Sequence, residues 1–391
     1  MSIRVALRHI TRYVYDRPVH LGPQVGRLRP APHAPTRPSA YDFVVRPEKH
    51  FLHWQQDPHG NHLARLTFPE KVTSLELDVE LVCDLVSVNP FDFFLEPEVE
   101  RMPMGYAPAL ATELAAFRGP IETGPLFEQL LATFHPRDLR TIDFLVDVNR
   151  TLANRVEYLV RMEPGVQTPE ETLTKGSGSC RDSAWLLVAL LRRLGFAARF
   201  VSGYLIQLRP DVRPKEGPQG PEADFTDLHA WCDVYLPGAG WIGLDPTSGL
   251  LAGEGHIPLC CTPEPASAAP LSGALDECEV TFEHHMHVER ILETPRTTAP
   301  IDDPSFQRVL ALGETIDADL ASLGVKLTFG GEPTFVAKDH CDSPEWSVEA
   351  LGPHKLERAM DLFVRMRERF APHGVPFFGQ GKWYPGEPLP R

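Results

Sequence analysis

The first hundred residues alternate between apolar and polar positions. The alternation is clearest within Leu75–Val88, where apolar side chains fall on one face of a period-two pattern and acidic side chains on the other. Arg4–Tyr15 and Tyr41–Arg46 have the same strand character, and the turn-forming stretch 57–62 (DPHGNH) predicts a hairpin. Because alternating strands must bury one face against a second layer, residues 1–100 are predicted to form an N-terminal antiparallel β-sandwich domain.

From about residue 126 the apolar period changes to that of helices. Helices are predicted over 126–135 and 141–156, and a third helix begins near Thr168. The run GSGSCRDSAWLLVALLRRLG then predicts an apolar helix that ends at Gly195. Strands are predicted over Ala198–Leu208, Ala230–Leu236, Trp241–Leu244 and Glu279–Leu292. These elements predict an α+β domain over 126–292, closed by the last strand.

A third composition begins after Pro300. Helices are predicted near 305–320 and 352–370, on either side of LTFGGEPTFV, and the chain ends at GQGKWYPGEPLPR without an element that would close a core. We therefore expect residues 305–391 to be a partial C-terminal domain.

Charge and cysteine content argue against several classes of protein. The formal net charge is -15 and there is no Lys/Arg run, so no nucleic-acid partner is predicted. No segment approaches the ~20 apolar residues of a transmembrane helix, and the strand-like start is not a signal peptide. The 7 cysteines are irregularly spaced without CxxC, which predicts neither a disulfide framework nor a structural zinc site. We expect a cytoplasmic protein with no membrane partner, metal or cofactor.

Cys180 is the strongest candidate for a nucleophile. A catalytic thiol must be partly ionised and accessible. Cys180 follows a GSGS turn and opens the apolar helix, so its sulfur is expected near the positive end of the helix dipole, where free N–H groups can bind an oxyanion. Asp182 is expected to stabilise this helix N-terminus rather than to take part in chemistry. The ordinary alternative for a lone cysteine is burial in the core.

Two further residues favour the catalytic interpretation. His229 lies in DLHAWCDVYLP at the start of a strand, and Asp245 lies in GWIGLDPTSG where the next strand ends. Neighbouring antiparallel strands would bring the two side by side. An imidazole that faces the thiol can take its proton, and a carboxylate behind the ring fixes the tautomer and stabilises the imidazolium. The sequence thus predicts a catalytic triad of Cys180, His229 and Asp245.

These motifs resemble those of the bacterial transglutaminase-like proteins in the papain-type cysteine superfamily, over about residues 130–275. RHITRYVYDRPVHLGPQVGRLRP and DPHGNHLARLTFPE resemble the β-domain that precedes such cores, and 306–391 resembles the opening of an uncharacterised domain that follows them. The resemblance implies a helix-borne cysteine packed on an antiparallel sheet, with Cys180 as nucleophile, His229 as base and Asp245 as orienting acid.

The resemblance also implies a reaction. It is acyl transfer from, or hydrolysis of, amide and peptide bonds through a thioester, with peptidase or amidase activity favoured over cross-linking. The sequence has no acidic loop with calcium-ligand spacing, so no calcium is predicted. The partners would be a peptide or protein amide and, in transfer, an amine acceptor. A non-catalytic peptide-binding or scaffolding module is the alternative from another class.

Three aromatic residues are candidates for the surroundings of the site. In the family an aromatic or amide side chain upstream of the cysteine often completes the oxyanion hole, and Tyr158 is the nearest candidate. Trp231 and Trp241 are candidates for the wall of an acyl pocket, with core packing as the alternative for each.

Overall fold

The secondary structure follows the predicted order of a β-rich, a mixed and a helical segment. The computed structural model describes residues 2–135, 139–210, 220–293, 302–324 and 352–374. Its helices are α1 (Pro108–Glu113), α2 (Pro125–Leu131), α3 (Thr141–Arg155), α4 (Pro169–Lys175), α5 (Cys180–Arg193), α6 (Asp303–Ser322) and α7 (Pro353–Phe370). Its strands are β1 (Ser2–Val19), β2 (Gln24–Gly26), β3 (Pro38–Arg46), β4 (Phe51–Gln56), β5 (His62–Thr67), β6 (Val72–Val86), β7 (Glu157–Tyr158), β8 (Ser177–Gly178), β9 (Ala198–Gln207), β10 (Phe225–Leu236), β11 (Gly240–Asp245), β12 (Leu250–Leu251), β13 (His256–Thr262), β14 (Leu271–Ser272) and β15 (Val280–Glu293).

The N-terminal segment forms two four-stranded antiparallel sheets, in the orders β15-β1-β6-β3 and β14-β2-β5-β4. The predicted apolar face of β6 lies in the core between them, where Leu77 and Val79 are fully buried. Asp78, on the other face, is also buried, because Arg8 of β1 covers it with two hydrogen bonds of 3.1 and 2.8 Å. The predicted antiparallel sandwich and the α+β class are therefore confirmed.

The last strand of the sandwich comes from far along the chain. β15 pairs with β1 from Tyr15↔Val280 to Ile3↔Glu293. The prediction of a strand over Glu279–Leu292 is confirmed. This strand was expected to close the α+β domain predicted over 126–292, but it lies in a sheet of the sandwich instead. The sequence pattern of β15 predicts a strand but does not indicate which strand it pairs with. In the structure it pairs along the edge of the long strand β1.

The mixed segment forms a five-stranded antiparallel sheet in the order β12-β11-β10-β9-β13. Helix α5 packs on β9 and β10, and all residues from Ala184 to Leu191 are buried between this sheet and α2 and α3. The opposite face of the sheet, which includes Tyr204 and Ile257, joins the core of the sandwich. The sheet is thus covered on both faces.

The second compact unit is Pro295–Arg391. Its described part contains α6 and α7, which agree with the helices predicted near 305–320 and 352–370. LTFGGEPTFV and GQGKWYPGEPLPR lie outside the described residues. Within the part of the chain that the structure describes, none of the helices is long and apolar enough to span a membrane.

Candidate active site

Cys180 is the first residue of α5, and a buried carboxylate fixes the turn before it. Asp182 accepts hydrogen bonds from the backbone N–H and the hydroxyl of Ser179 (2.8 and 2.7 Å) and from the backbone N–H of Gln167 (2.8 Å). Arg161 adds two more, each of 3.0 Å. Burial raises the pKa of Asp182, but these hydrogen bonds outweigh burial and hold the pKa below its usual value. The predicted role of Asp182 at the helix N-terminus is confirmed.

The GSGS turn also requires its glycine. A Cβ on Gly178 would lie 2.9 Å from the Cβ of Asp182, so a larger residue would push the carboxylate out of its position. The backbone N–H of Leu159 donates to the carbonyl of Gly178 (2.9 Å), and β7 pairs in parallel with β8. The segment from Glu157 to Met162 is thereby held beside the nucleophile helix.

Cys180 differs from most other described cysteines in exposure. It is half-buried, whereas Cys83, Cys232, Cys260 and Cys261 are buried in cores. Burial raises the pKa of Cys83 and of Cys260 to about 12, so these thiols stay protonated near neutral pH. Of the two half-buried cysteines among the described residues, Cys180 and Cys278, Cys180 is the one at a helix N-terminus.

The structure brings the other two predicted residues to this thiol. His229 lies in β10 and Asp245 is the last residue of β11, and the two strands are antiparallel neighbours. The Nε2 atom of His229 is 3.3 Å from Oδ1 of Asp245, and both side chains are almost fully buried. This contact is longer than the ~2.7–2.9 Å of a charge-assisted hydrogen bond, as is common in sites without substrate.

The charges of the site favour a protonated imidazole. Burial lowers the pKa of His229, but interaction with Asp245 and with Cys180 outweighs burial and raises it to about 10. Burial raises the pKa of Asp245, but His229 and His256 outweigh burial and hold it far below its usual value. The ring can therefore accept the thiol proton and keep it beside a carboxylate that stays ionised.

The loop after Asp245 holds the carboxylate from behind. Oδ1 accepts the backbone N–H of Thr247 and Oδ2 accepts the hydroxyl of Ser248, each at 2.9 Å. Asn149 of α3 donates to the backbone carbonyls of Asp245 (3.2 Å) and Leu250 (3.0 Å). These bonds fix both the side chain and the backbone at the end of β11.

A second histidine also contacts this carboxylate, and sequence reasoning missed it. Nε2 of His256 is 3.5 Å from Oδ2 of Asp245. His256 begins β13, which lies on the far side of β9 from β10, so no local motif links it to the triad. Only the strand order of the sheet could have revealed it. The side chains of His229, Asp245 and His256 lie close enough that their ligand atoms fall within 4.8 Å of one another, which is a spacing that could hold a metal ion.

The three aromatic candidates have different environments. Tyr158 is 47% exposed. Burial is the largest cause that raises its pKa, and the charge of Cys180 is the next, so Tyr158 lies near the thiol. Trp231 is 2% exposed and stacks beside His229 at a centroid distance of 6.3 Å. Gly203, opposite His229 on β9, leaves room for this ring, since a Cβ there would lie 2.4 Å from it. Trp231 thus packs against the imidazole from the core. These contacts do not test its predicted role in the wall of an acyl pocket.

Trp241 is not brought to the triad. Its ring contacts are with Arg199, whose guanidinium lies 4.2 Å from the ring centroid, and with Phe117 and Tyr235. The predicted acyl-pocket role of Trp241 is therefore not supported, and packing at the start of β11 accounts for it.

Comparison with known proteins gives three family matches. Residues 5–84 match "Bacterial transglutaminase-like N-terminal region", residues 133–246 match "Transglutaminase-like superfamily", and residues 276–391 match "Putative amidoligase enzyme". The second match includes Cys180, His229 and Asp245, and it ends before His256.

Relatives of this chain occur in bacteria. An uncharacterized protein of Mycobacterium tuberculosis is 29% identical over 286 residues, which cover 70% of this chain and 87% of the relative. An uncharacterized protein of Bacillus subtilis is 35% identical over 72 residues, which are 18% of this chain and 10% of that protein.

Among solved structures, the "Putative Cysteine Protease" from Cytophaga hutchinsonii superimposes with a TM-score of 0.56 at 18% identity, covering 77% of this chain and 95% of the other. This likeness concerns the fold. The chain therefore contains three segments that match, in order, the N-terminal region of bacterial transglutaminase-like proteins, the transglutaminase-like superfamily and a third family.

Proposed function

We propose that this protein is a cysteine-dependent enzyme that acts on amide or peptide bonds through a thioester, as a peptidase or amidase in preference to a cross-linking enzyme. The observation that supports it best is the imidazole of His229, which interacts with both Cys180 and Asp245 and has its pKa raised to about 10. A ring in that position stabilises a thiolate–imidazolium pair, the reactive form of a cysteine nucleophile.

Acylation uses the proton that the ring takes from Cys180. The thiolate attacks the substrate carbonyl, a C–S bond forms, and the carbonyl π electrons move to oxygen. The candidates to bind this oxyanion are the backbone N–H groups of Cys180 and Arg181, because N–H groups at a helix start lack intrahelical acceptors. Tyr158, which interacts with the charge of Cys180, is the candidate side-chain donor. The tetrahedral intermediate collapses when the C–N bond breaks and the imidazolium gives its proton to the leaving amine or ammonia.

Deacylation reverses these roles. Neutral His229 removes a proton from water, the resulting oxygen nucleophile attacks the thioester, and the sulfur leaves and is reprotonated by the ring. An amine can replace water, but it needs a binding site that raises its local concentration enough to compete. The half-buried Cys180 is open to water, which favours hydrolysis. We also propose a reducing compartment such as the cytoplasm, in keeping with the free thiols among the described residues.

A substrate panel tests the reaction class. Peptides that contain glutamine and simple peptide amides are incubated with the full chain, with and without a primary amine, and released ammonia, cleaved peptide and incorporated amine are measured by mass spectrometry. Release without incorporation is the expected result. Incorporation that exceeds hydrolysis would replace the amidase assignment with amine transfer.

A peptide-binding module without catalysis is the second candidate. It is favoured by the exposed apolar side chains beside Cys180, which include Val160 (77% exposed) and Met162 (60%). Iodoacetamide separates the two. A nucleophilic Cys180 is alkylated much faster than Cys278, the other half-buried described cysteine, whereas equal rates support the binding module.

A further inference from the structure

His256 presents one definite edge to the carboxylate of the site. The backbone N–H of Gly253 donates to its Nδ1 atom at 3.2 Å. A neutral imidazole has one protonated nitrogen, so a ring that accepts at Nδ1 has its proton on Nε2. That nitrogen faces Oδ2 of Asp245 at 3.5 Å, which is longer than a formed hydrogen bond, and it has no hydrogen-bond partner among the described residues.

Asp245 is therefore held between two rings. Its Oδ1 faces His229 and its Oδ2 faces His256, while the rings are 5.9 Å apart between centroids. Trp231 contacts both rings, and its edge-on contact with His256 has a centroid distance of 5.2 Å. The side chain of His256 is only 13% exposed, so solvent competes little for its N–H.

We propose that His256 is a positioning residue for the reaction proposed above, and that it acts through Asp245. Its Nε2–H fixes the second carboxylate oxygen, so the first oxygen stays aligned with His229. Without it, the carboxylate is held at Oδ2 only by Ser248 and can rotate away from the catalytic ring. The same proton leaves Nε2 of His256 without a free lone pair, which distinguishes this arrangement from a metal site made of His229, Asp245 and His256.

The rate of alkylation of Cys180 measures this effect without a known substrate. Full-length protein is treated with iodoacetamide across the pH range, and modification of Cys180 is followed by peptide mass spectrometry. Among the described residues, Tyr158 also interacts with the charge of Cys180, and Asp227 interacts with Tyr158; neither residue is altered. His256→Phe keeps an aromatic ring but has no N–H donor. It is expected to slow alkylation of Cys180 at neutral pH about tenfold, which corresponds to an upward shift of one pH unit in the midpoint of the alkylation profile.

Two control variants separate positioning from packing. His256→Gln keeps an N–H donor near the Nε2 position and should return the rate to within about threefold of the wild type. His53→Phe, the same substitution at an exposed histidine of β4, should leave it unchanged. A wild-type Cys180 no faster than Cys278 contradicts the proposed function. A fast wild type matched by an equally fast His256→Phe contradicts only the role of His256.

The tautomer gives an independent test if His256→Phe does not fold. Nitrogen-15 spectra of histidine-labelled wild-type protein should show His256 protonated at Nε2 and unprotonated at Nδ1. A proton on Nδ1, or zinc that co-purifies with the wild type and is lost in His256→Gln, would overturn the proposal in favour of a metal site.

Discussion

Among the described residues, two cysteines, Cys180 and Cys261, each interact with a histidine, and only one of these pairs has the surroundings of a catalytic pair. Sγ of Cys261 lies 3.5 Å from Nε2 of His33, while Cys180 interacts with His229. Cys261 is 1% exposed, and burial raises the pKa of its thiol far above the usual value. Proximity of a thiol to an imidazole is therefore not sufficient for reactivity.

The third group of each cluster accounts for the difference. Arg199 donates from Nη2 to Nε2 of His33 at 3.0 Å and uses the lone pair that a thiol proton would need. Desolvation and the charge of Arg199 lower the pKa of His33. Asp245 has the opposite effect on His229, because a carboxylate stabilises the imidazolium. The sign of the neighbouring charge decides which histidine can act as a base.

Removal of each thiol gives the largest expected contrast. Cys180→Ala should lower turnover of any amide substrate by at least ~10³-fold, because no other group can form the acyl-enzyme. Cys261→Ala should have a far smaller effect on the rate of the folded protein, since Cys261 reaches the triad through its packing against Trp231 and cannot replace the nucleophile. Turnover is measured as released ammonia or amine at equal folded concentration. Activity retained by Cys180→Ala would refute the nucleophile assignment.

The two carboxylates should differ in what their loss affects. Asp245→Asn is expected to lower kcat about 10³- to 10⁴-fold, as for an orienting acid whose loss leaves the wrong tautomer. Asp233 instead pairs with buried Arg199 at 2.8 Å, so Asp233→Asn should lower the free energy of unfolding by about 3–5 kcal/mol with a smaller effect on kcat. Urea unfolding and steady-state kinetics of both variants are the measurements. A similar kcat loss in both would show that the clusters are not independent.

The pH dependence of the two histidines should have opposite signs. The pKa of His229 is raised to about 10 in the folded state. Its contribution to stability is therefore fully present below the unfolded pKa of ~6.5 and is lost as pH rises through 10. The pKa of His33 is lowered, so its contribution is present above ~6.5 and declines as pH falls. NMR titration with His229→Gln and His33→Gln for assignment should find His229 protonated and His33 neutral at pH 7. A neutral His229 ring at that pH would remove the main support for the ion pair.

The sequence predicted the parts of the site that lie at ends of elements. Cys180 after a glycine-rich turn, His229 in an alternating strand and Asp245 before a proline each have a local pattern with a chemical reason. His229 was predicted at the start of its strand, but it lies inside β10, which begins at Phe225. The helix N-terminus role of Asp182 was predicted in the same way. Local pattern was also enough for the alternating strands of the sandwich, since period-two burial is a property of the strand itself.

Long-range pairing was beyond the sequence pattern. The partner of β15 and the approach of His256 to Asp245 depend on strand order, which alternation does not encode. The pocket roles of the two tryptophans stay predictions for a related reason. An aromatic residue near a motif can lie on either face of its strand, and Trp241 packs on Arg199 instead of the triad. The His33–Cys261 pair joins residues far apart in sequence and has no motif at all.

Access to substrate gives the smallest expected effect and completes the comparison. Cys261 is enclosed, whereas Cys180 lies beside the exposed segment that contains Val160. This segment is held in place by the Leu159–Gly178 hydrogen bond and by the contact of Arg161 with Asp182. If a peptide covers this segment, Val160→Ser should raise KM by about 3- to 10-fold through lost apolar contact while kcat and the alkylation rate stay unchanged. Val88→Ser, at an exposed valine of the N-terminal half, is the matched control. A fall in kcat with unchanged KM would instead show that Val160 supports the nucleophile helix, because a residue that only binds substrate does not alter the chemical step.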